Sequence, residues 1–394
     1  MKAIIHAKVI LEDGILWDGT VLWDGKKILS VGRTEEVAVP ADAEVIDAGG
    51  LYAAPGLVDI HNHGCTEAWF YEDPLKCCEV FLRHGVTTVL PTFLNTMSKE
   101  TMIEGAAKIQ KLSETGIGRI MDGLYMEGPF MRLSGGFSNL FCWDEEIHPE
   151  DYREMIASFG DMVRIWAIDP DRSGIEDFMR YAKAETPGVI FAHGHSHASA
   201  GEIRALKRYG VKVRTHLFDN GRRKGRCQGT FGADGDTFAL YEPDMYAELI
   251  VDSVGIHVEP DLVKMVIRMK GVDRICLISD HTSSHGGKLY KNCEKDGIWY
   301  GPDLNYDDRG RLAGSLMNLD EAVKNVMTHT GYGLCHAVKM ASLTPARLLG
   351  IDDRVGSIEA GKTANMLLMD DAVKIRRVFL EGKEAVGEAG NILI

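Results

Sequence analysis

Two histidines one residue apart, His61 and His63, close the apolar run Gly56-Leu-Val-Asp-Ile60. Alternate residues at a strand end project to one side, so both imidazoles can converge on one cation. Other metal-capable side chains end later apolar runs. Glu127 follows Gly123-Leu-Tyr-Met126, His195 follows Val189 to Gly194, His216 follows Val211 to Thr215, and Asp280 follows Ile275 to Ser279. Any one of these is as readily a capped turn or a core histidine; their joint recurrence gives the pattern its weight. Imidazoles and carboxylates without a thiolate suit zinc, iron(II), manganese or cobalt. Such a centre acidifies a bound water and polarises a carbonyl, as amide hydrolysis at neutral pH requires. Asp280 is then the proton carrier, taking a proton from the attacking water and giving it to the departing amine.

Side chains so far apart in the chain need a scaffold that gathers strand ends on one face. Short apolar runs at 53–60, 86–92, 119–126, 162–168, 188–193, 211–216, 247–252 and 274–279 alternate with longer amphipathic stretches. Eight strand runs separated by helical patterns point to a parallel sheet closed as a (β/α)8 barrel, with an open doubly wound sheet as the competing arrangement. Runs at 3–11, 15–22 and 27–31, with Asp-Gly turn signals at 13–14, 18–19 and 24–25, read as β-strands, and 365–369 and 377–380 repeat that texture. The expected fold is a TIM-like α/β barrel over residues 53–350, with a small β-sandwich domain built from both chain termini, 1–52 and 351–394. Asn318 to Glu321 reads as a capping box, and Thr344-Pro345 as an N-cap followed by proline at the first helical position.

Composition narrows the partners. The 394 residues are 45% apolar and 26% charged, with a formal net charge of −14, so the chain is globular and not built to grip nucleic acid or anionic lipid. No window approaches the ~18 apolar residues of a membrane span, and the start lacks a signal-peptide pattern, so a cytoplasmic protein is expected. Its eight cysteines are scattered, which favours reduced thiols. Gly356-Ser-Ile-Glu-Ala-Gly-Lys-Thr363 satisfies the phosphate-loop pattern, but a helical stretch precedes it and a β-like run follows, the reverse of what that loop needs. A turn between strands is the better reading.

Several segments carry a family resemblance: Pro55-Gly-Leu-Val-Asp-Ile-His-Asn-His-Gly64, Met126-Glu-Gly-Pro-Phe130, Gly194-His-Ser196, Thr215-His-Leu-Phe218, Gly255-Ile-His-Val258, Ser279-Asp280, Leu312-Ala-Gly-Ser315 and residues 341–362. With these the sequence resembles the amidohydrolase superfamily and, within it, the N-acetylglucosamine-6-phosphate deacetylase branch. The resemblance implies that Glu127, His195 and His216 hold a principal metal and that His61 and His63, with Asp280, support a second. One or two divalent ions per chain follow, zinc first among the candidates. It further implies a homodimer, because the family binds the sugar phosphate with an arginine and a histidine partly across a subunit boundary; Arg226 and His257 stand at the matching places. The loop Arg222-Arg-Lys-Gly-Arg226 also suits an anion, since guanidinium pairs bidentately with phosphate, although a solvated basic turn is the plain alternative.

The family pattern is broken at the expected substrate contacts. Where relatives carry a carbonyl-polarising histidine, Ser134 to Asn139 offers only Asn139. The usual Asn-Ala after the Thr-His-Leu-Phe motif is Asp219-Asn220, and the residue after Gly194-His-Ser is His197. An amide donates a hydrogen bond but not a proton, so an oxyanion would be held less strongly by Asn139. The expected activity is metal-dependent deacetylation of an anionic N-acetylated amino sugar phosphate. A cyclic-amide hydrolase or deaminase, or a metal-binding barrel without turnover, are the alternatives.

Overall fold

The computed structural model describes the chain except for residues 133–141, 220–231, 285–292, 296–297 and 308, and gives only the backbone over 293–295 and 298–300. Eight strands form one parallel sheet in chain order: Leu57–Asn62, Val86–Leu94, Leu124–Glu127, Val163–Ile168, Ile190–His193, Val211–Arg214, Tyr246–Leu249 and Ile275–Leu277. Each lies on one of the eight apolar runs. The run at 119–126 opens on a 3-10 turn, Gly116–Ile120, so its strand starts later than the hydropathy suggests.

Helices cover the sheet by the usual amphipathic spacing. Pro74–Arg83 has Asp73 as its N-cap, accepting the Lys76 N–H, and buries Pro74, Cys77, Cys78, Phe81 and Leu82, positions three and four apart on one face. Each large apolar side chain so buried contributes roughly 1.5–3 kcal/mol, which makes Phe81 and Leu82 the anchors of that layer.

Ring closure is made by single hydrogen bonds just past the strand ends rather than by a ladder. The Asp280 N–H donates to the His61 carbonyl at 3.0 Å, and the N–H groups of His63 and Gly64 donate to the His281 carbonyl at 2.8 and 3.0 Å. Below them the buried Asp59 carboxylate accepts the N–H of Ser279 at 3.4 Å. The contacts that shut the ring therefore also seat Asp280 beside the histidine pair.

Both chain ends enter a second eight-stranded sheet, ordered Lys383–Val386, Ile375–Leu380, Met366–Met369, Tyr52–Pro55, Lys2–Ile10, Ile15–Asp24 and Lys27–Arg33, with Glu44–Asp47 added beside Lys2–Ile10. It has its own apolar cluster, including Ile4, Val21, Trp23, Met366 and Phe379. The run at 53–60 is divided between the two sheets at Gly56, where a Cβ would stand 2.1 Å from Thr87 Oγ1, so only glycine lets the chain cross there. Asp18-Gly19 does not turn the chain as expected. It lies inside the Ile15–Asp24 strand, with Asp18 at φ 50°, next to register shifts in the pairing with Lys2–Ile10. The last short helix spans Leu343–Leu349 with Ser342 at its N-cap, two residues ahead of the expected Thr344; the Thr344 hydroxyl donates to the Val272 carbonyl instead. Asn318 behaves as expected, its N–H bonded to Glu321 at 2.8 Å. The loop at 356–363 runs from that helix into Met366–Met369, and the Lys362 ammonium is held by Ser357 and Glu359.

Candidate metal centre

Four of the six expected metal ligands come together around one carboxylate. Glu127, at the end of the third barrel strand, turns Oε2 toward His63 Nε2 at 3.2 Å and His61 Nε2 at 3.6 Å. It turns Oε1 toward His216 Nε2 at 3.0 Å and His195 Nε2 at 3.4 Å. The nitrogens of His195 and His216 are themselves 3.1 Å apart. Asp280 joins the other side, its Oδ1 lying 3.1 Å from His63 Nε2 and 3.6 Å from His61 Nε2. All six side chains are buried.

These separations fit a cation. Ligand atoms ~2.0–2.1 Å from a tetrahedral ion stand roughly 3.4 Å from one another; Glu127, His195 and His216 come close to that spacing, at 3.0, 3.1 and 3.4 Å, and His61, His63 and Glu127 form a second set whose ligand atoms lie within 4.8 Å of one another. His61 Nε2 is buried without a hydrogen-bond partner, which a coordinated ion would satisfy. The donor set of imidazole and carboxylate, with a bridging glutamate, suits one or two divalent ions.

Three of the four imidazoles, those of His61, His63 and His216, are aimed through the ring nitrogen that faces away from the centre. The Thr92 carbonyl can only accept, so at 3.1 Å it requires a proton on His63 Nδ1 and leaves Nε2 for the centre. The Asp219 carbonyl does the same for His216 Nδ1 at 3.3 Å, and Glu248 for His61 Nδ1 at 2.9 Å. The backbone contributes too: His216 and Asp280 adopt φ of 28° and 49°, a region that non-glycine residues enter at a cost of order 1–3 kcal/mol and that clusters at functional sites.

Electrostatics keep both acids ionised. Burial pushes Glu127 upward, but the hydrogen-bonded His195, His216 and His61 overcome it and hold its carboxyl well below the usual range. Burial likewise opposes ionisation of Asp280, and His63 and His61 hold it low. Burial lowers His63, yet Asp280 and Glu127 push it up to about 9. A divalent ion competes with protons for these same nitrogens.

The expected substrate contacts divide. His257 is near the centre but committed: Nδ1 donates to Asp252 at 3.0 Å and Nε2 to the Gly314 carbonyl at 3.2 Å. Two acceptors demand two protons, so it is an imidazolium, pushed up to about 9 against burial. Asp219 lies behind His216, with Oδ2 at 3.9 Å from its Nδ1. His197 lines a cavity of about 590 Å³ with Arg132, Asp169 and Arg172. Asn139, Asn220 and Arg226 lie outside the described residues.

Three buried charges went unread in the sequence. Arg214 donates to the carbonyls of His193, Gly194 and Thr215 at 3.1, 3.2 and 2.8 Å, and pairs with Asp236 at 2.6 Å. It thereby straps the strand ends that carry His195 and His216. Glu248, fully buried, stands in the seventh barrel strand. The available signal was a charged residue inside an apolar strand run, as in Val211-Lys-Val-Arg214 and Ala247-Glu-Leu-Ile250, since a buried charge needs a partner.

Comparison with known proteins agrees with this architecture. The chain is 28% identical to an N-acetylgalactosamine-6-phosphate deacetylase of Escherichia coli O157:H7, covering 98% of this chain and all of that one. It is 27% identical to an N-acetylglucosamine-6-phosphate deacetylase of Haemophilus influenzae over 86% of this chain and 88% of the relative. The crystal structure of the N-acetylglucosamine-6-phosphate deacetylase from Pasteurella multocida superposes with a TM-score of 0.84 at 24% identity, covering 97% and 99% of the two chains, and shares the fold. The amidohydrolase family model matches residues 52–385, a span that holds every barrel strand and all six clustered side chains, and the chain belongs to that family.

Proposed function

We propose that the protein is a metal-dependent hydrolase that removes the acetyl group from an N-acetylated amino sugar 6-phosphate. The observation that carries this reading is Glu127 dividing four histidines between its two oxygens, with the ionised Asp280 beside them. The deacetylase relatives supply the substrate class. Glu127, His195 and His216 would hold the principal ion and His61 and His63 a second, zinc being the metal that suits this donor set first. Such an ion supplies Lewis acidity, bringing water toward ionisation near neutral pH and polarising an amide carbonyl.

The chain's own residues do the rest. Asp280, held as a carboxylate, accepts a proton from the attacking water and returns it to the amine nitrogen as the C–N bond breaks. The His257 imidazolium places positive charge at the mouth of the barrel, where it favours an anionic sugar, together with Arg226 from a partner subunit of a homodimer. His197, Asn139, Asp219 and Asn220 complete the substrate contacts in this reading. A cytoplasmic location is part of the same proposal; among the described residues no helix is long and apolar enough to cross a membrane.

The test is acetate release from N-acetylglucosamine and N-acetylgalactosamine, each with and without a 6-phosphate, by wild type and Asp280→Asn. The expected result is turnover of a phosphorylated sugar and a fall in kcat of roughly 10²–10⁴-fold in the variant. Ammonia release or ring opening without acetate would reassign the activity within the family; equal, negligible turnover in both proteins on every amide would leave a binding barrel.

A further inference from the structure

Glu248 is a carboxylate sealed in the barrel interior, between Ala247 and Leu249 of an otherwise apolar strand, with none of its surface exposed. Burying an ionised carboxylate costs several kcal/mol unless it is paired and hydrogen-bonded. Among the described residues its Oε2 lies 2.9 Å from His61 Nδ1 and also accepts the His216 main-chain N–H at 3.2 Å. A neutral acceptor would serve that N–H equally well. What a carboxylate adds is a firm demand for a proton on His61 Nδ1, which leaves the Nε2 lone pair facing Glu127 and Asp280, each 3.6 Å away. The Tyr125 ring packs against the imidazole with centroids 4.6 Å apart, and its hydroxyl is tied to Thr215 Oγ1 at 2.8 Å, so the ring is also held against rotation.

We infer that Glu248 is a positioning residue that fixes the tautomer and orientation of His61 and so builds the cation subsite of His61, His63 and Glu127, separately from the subsite of Glu127, His195 and His216. The inference rests on the metal centre proposed above and deepens it: it names the residue that decides whether the second ion is held. Carboxylate–histidine–metal relays of this kind orient the ligand and raise its basicity, and their loss costs about 10- to 100-fold in metal affinity.

The experiment measures ions per chain, not turnover. Full-length wild type, Glu248→Gln, His61→Asn and the double variant are stripped with a chelator, titrated with zinc, and assayed by elemental analysis after removal of excess metal. Wild type is expected to hold two zinc ions, with the weaker site falling about 10- to 100-fold in affinity in Glu248→Gln while the tighter site is unchanged. His61→Asn should reproduce that loss, and the double variant should add nothing to it. Nitrogen-15 NMR of histidine-labelled wild type supplies a readout that needs no folded variant: His61 should carry its proton on Nδ1. Two ions bound with wild-type affinity in Glu248→Gln, a proton on His61 Nε2, or a single ion in wild type would each overturn the inference. The last leaves the principal ion and the deacetylase reading standing, whereas a wild type that binds no zinc overturns the metal centre and this inference together.

Discussion

The His61/His63 pair and the His195/His216 pair face opposite oxygens of one glutamate, yet different forces hold them. His61 lies in a barrel strand and His63 just beyond it, so strand alternation aims both rings before any side chain helps. Their outer nitrogens rest on Glu248 and the Thr92 carbonyl. The second pair sits past its strand ends, with His216 in a left-handed backbone conformation, and is strapped by the buried Arg214–Asp236 ion pair. The first pair is preorganised by the sheet itself; the second depends on a charge placed where charges are costly. One arrangement can be damaged without the other, and Glu127 is what they share.

The largest effect should come from abolishing the comparison. Glu127→Ala removes a ligand from both sets, and we expect loss of bound metal by elemental analysis together with a fall in kcat/KM on the order of 10⁴-fold or more. Survival of one tight ion would mean that the glutamate is not common to both. Next in size, Arg214→Ala leaves Asp236 buried without its partner, a change that costs about 3–5 kcal/mol in comparable sites. The midpoint of denaturant unfolding should fall accordingly, and metal affinity should weaken at the His195/His216 subsite alone. Equal weakening at both subsites would show that the two supports are not separable.

The smallest effect concerns the rim. The carboxyl of Asp252 is pushed down to about 2 from 3.8, burial opposing and His257 prevailing, while His257 is pushed up to about 9 from 6.5. Asp252, with its depressed value, contributes stability in full above 3.8 that is lost as pH falls toward 2. His257, with its raised value, contributes in full below 6.5 and loses that contribution as pH rises through about 9. Urea unfolding of wild type and His257→Gln should therefore differ most between pH 3.8 and 6.5, by roughly 1–3 kcal/mol, and converge above about 9. A gap that persists at alkaline pH would assign the effect to packing.

The same contrast explains what could be read from the sequence. The eight barrel strands announce themselves by apolar runs, and the clustered histidines and acids by their place at the ends of those runs, because strand geometry converts sequence position into spatial position. Arg214, Asp236 and Glu248 do not stand at run ends; Arg214 meets Asp236 on the helix that follows its strand, 22 residues on, and Glu248 meets His61, 187 residues away, only because the ring brings the seventh strand near the first. The division at Gly56 escaped for a related reason. Residues 53–60 read as one run, apolar but for Asp59, and hydropathy cannot tell that Tyr52–Pro55 pairs with the terminal strands while Leu57–Asn62 starts the barrel. The turn expected at Asp18-Gly19 failed because a bulge in a long strand draws on the same left-handed conformations as a hairpin.

The bonds from Asp280 to His61 and from His63 to His281 join the first strand of the ring to the last. During synthesis the histidine pair leaves the ribosome more than two hundred residues before Asp280. A nascent chain halted anywhere short of the eighth strand lacks Asp280 and the seam that seats it beside the histidine pair. The cluster of four histidines and two acids is therefore complete only once the last strand of the ring has been made and has met the first.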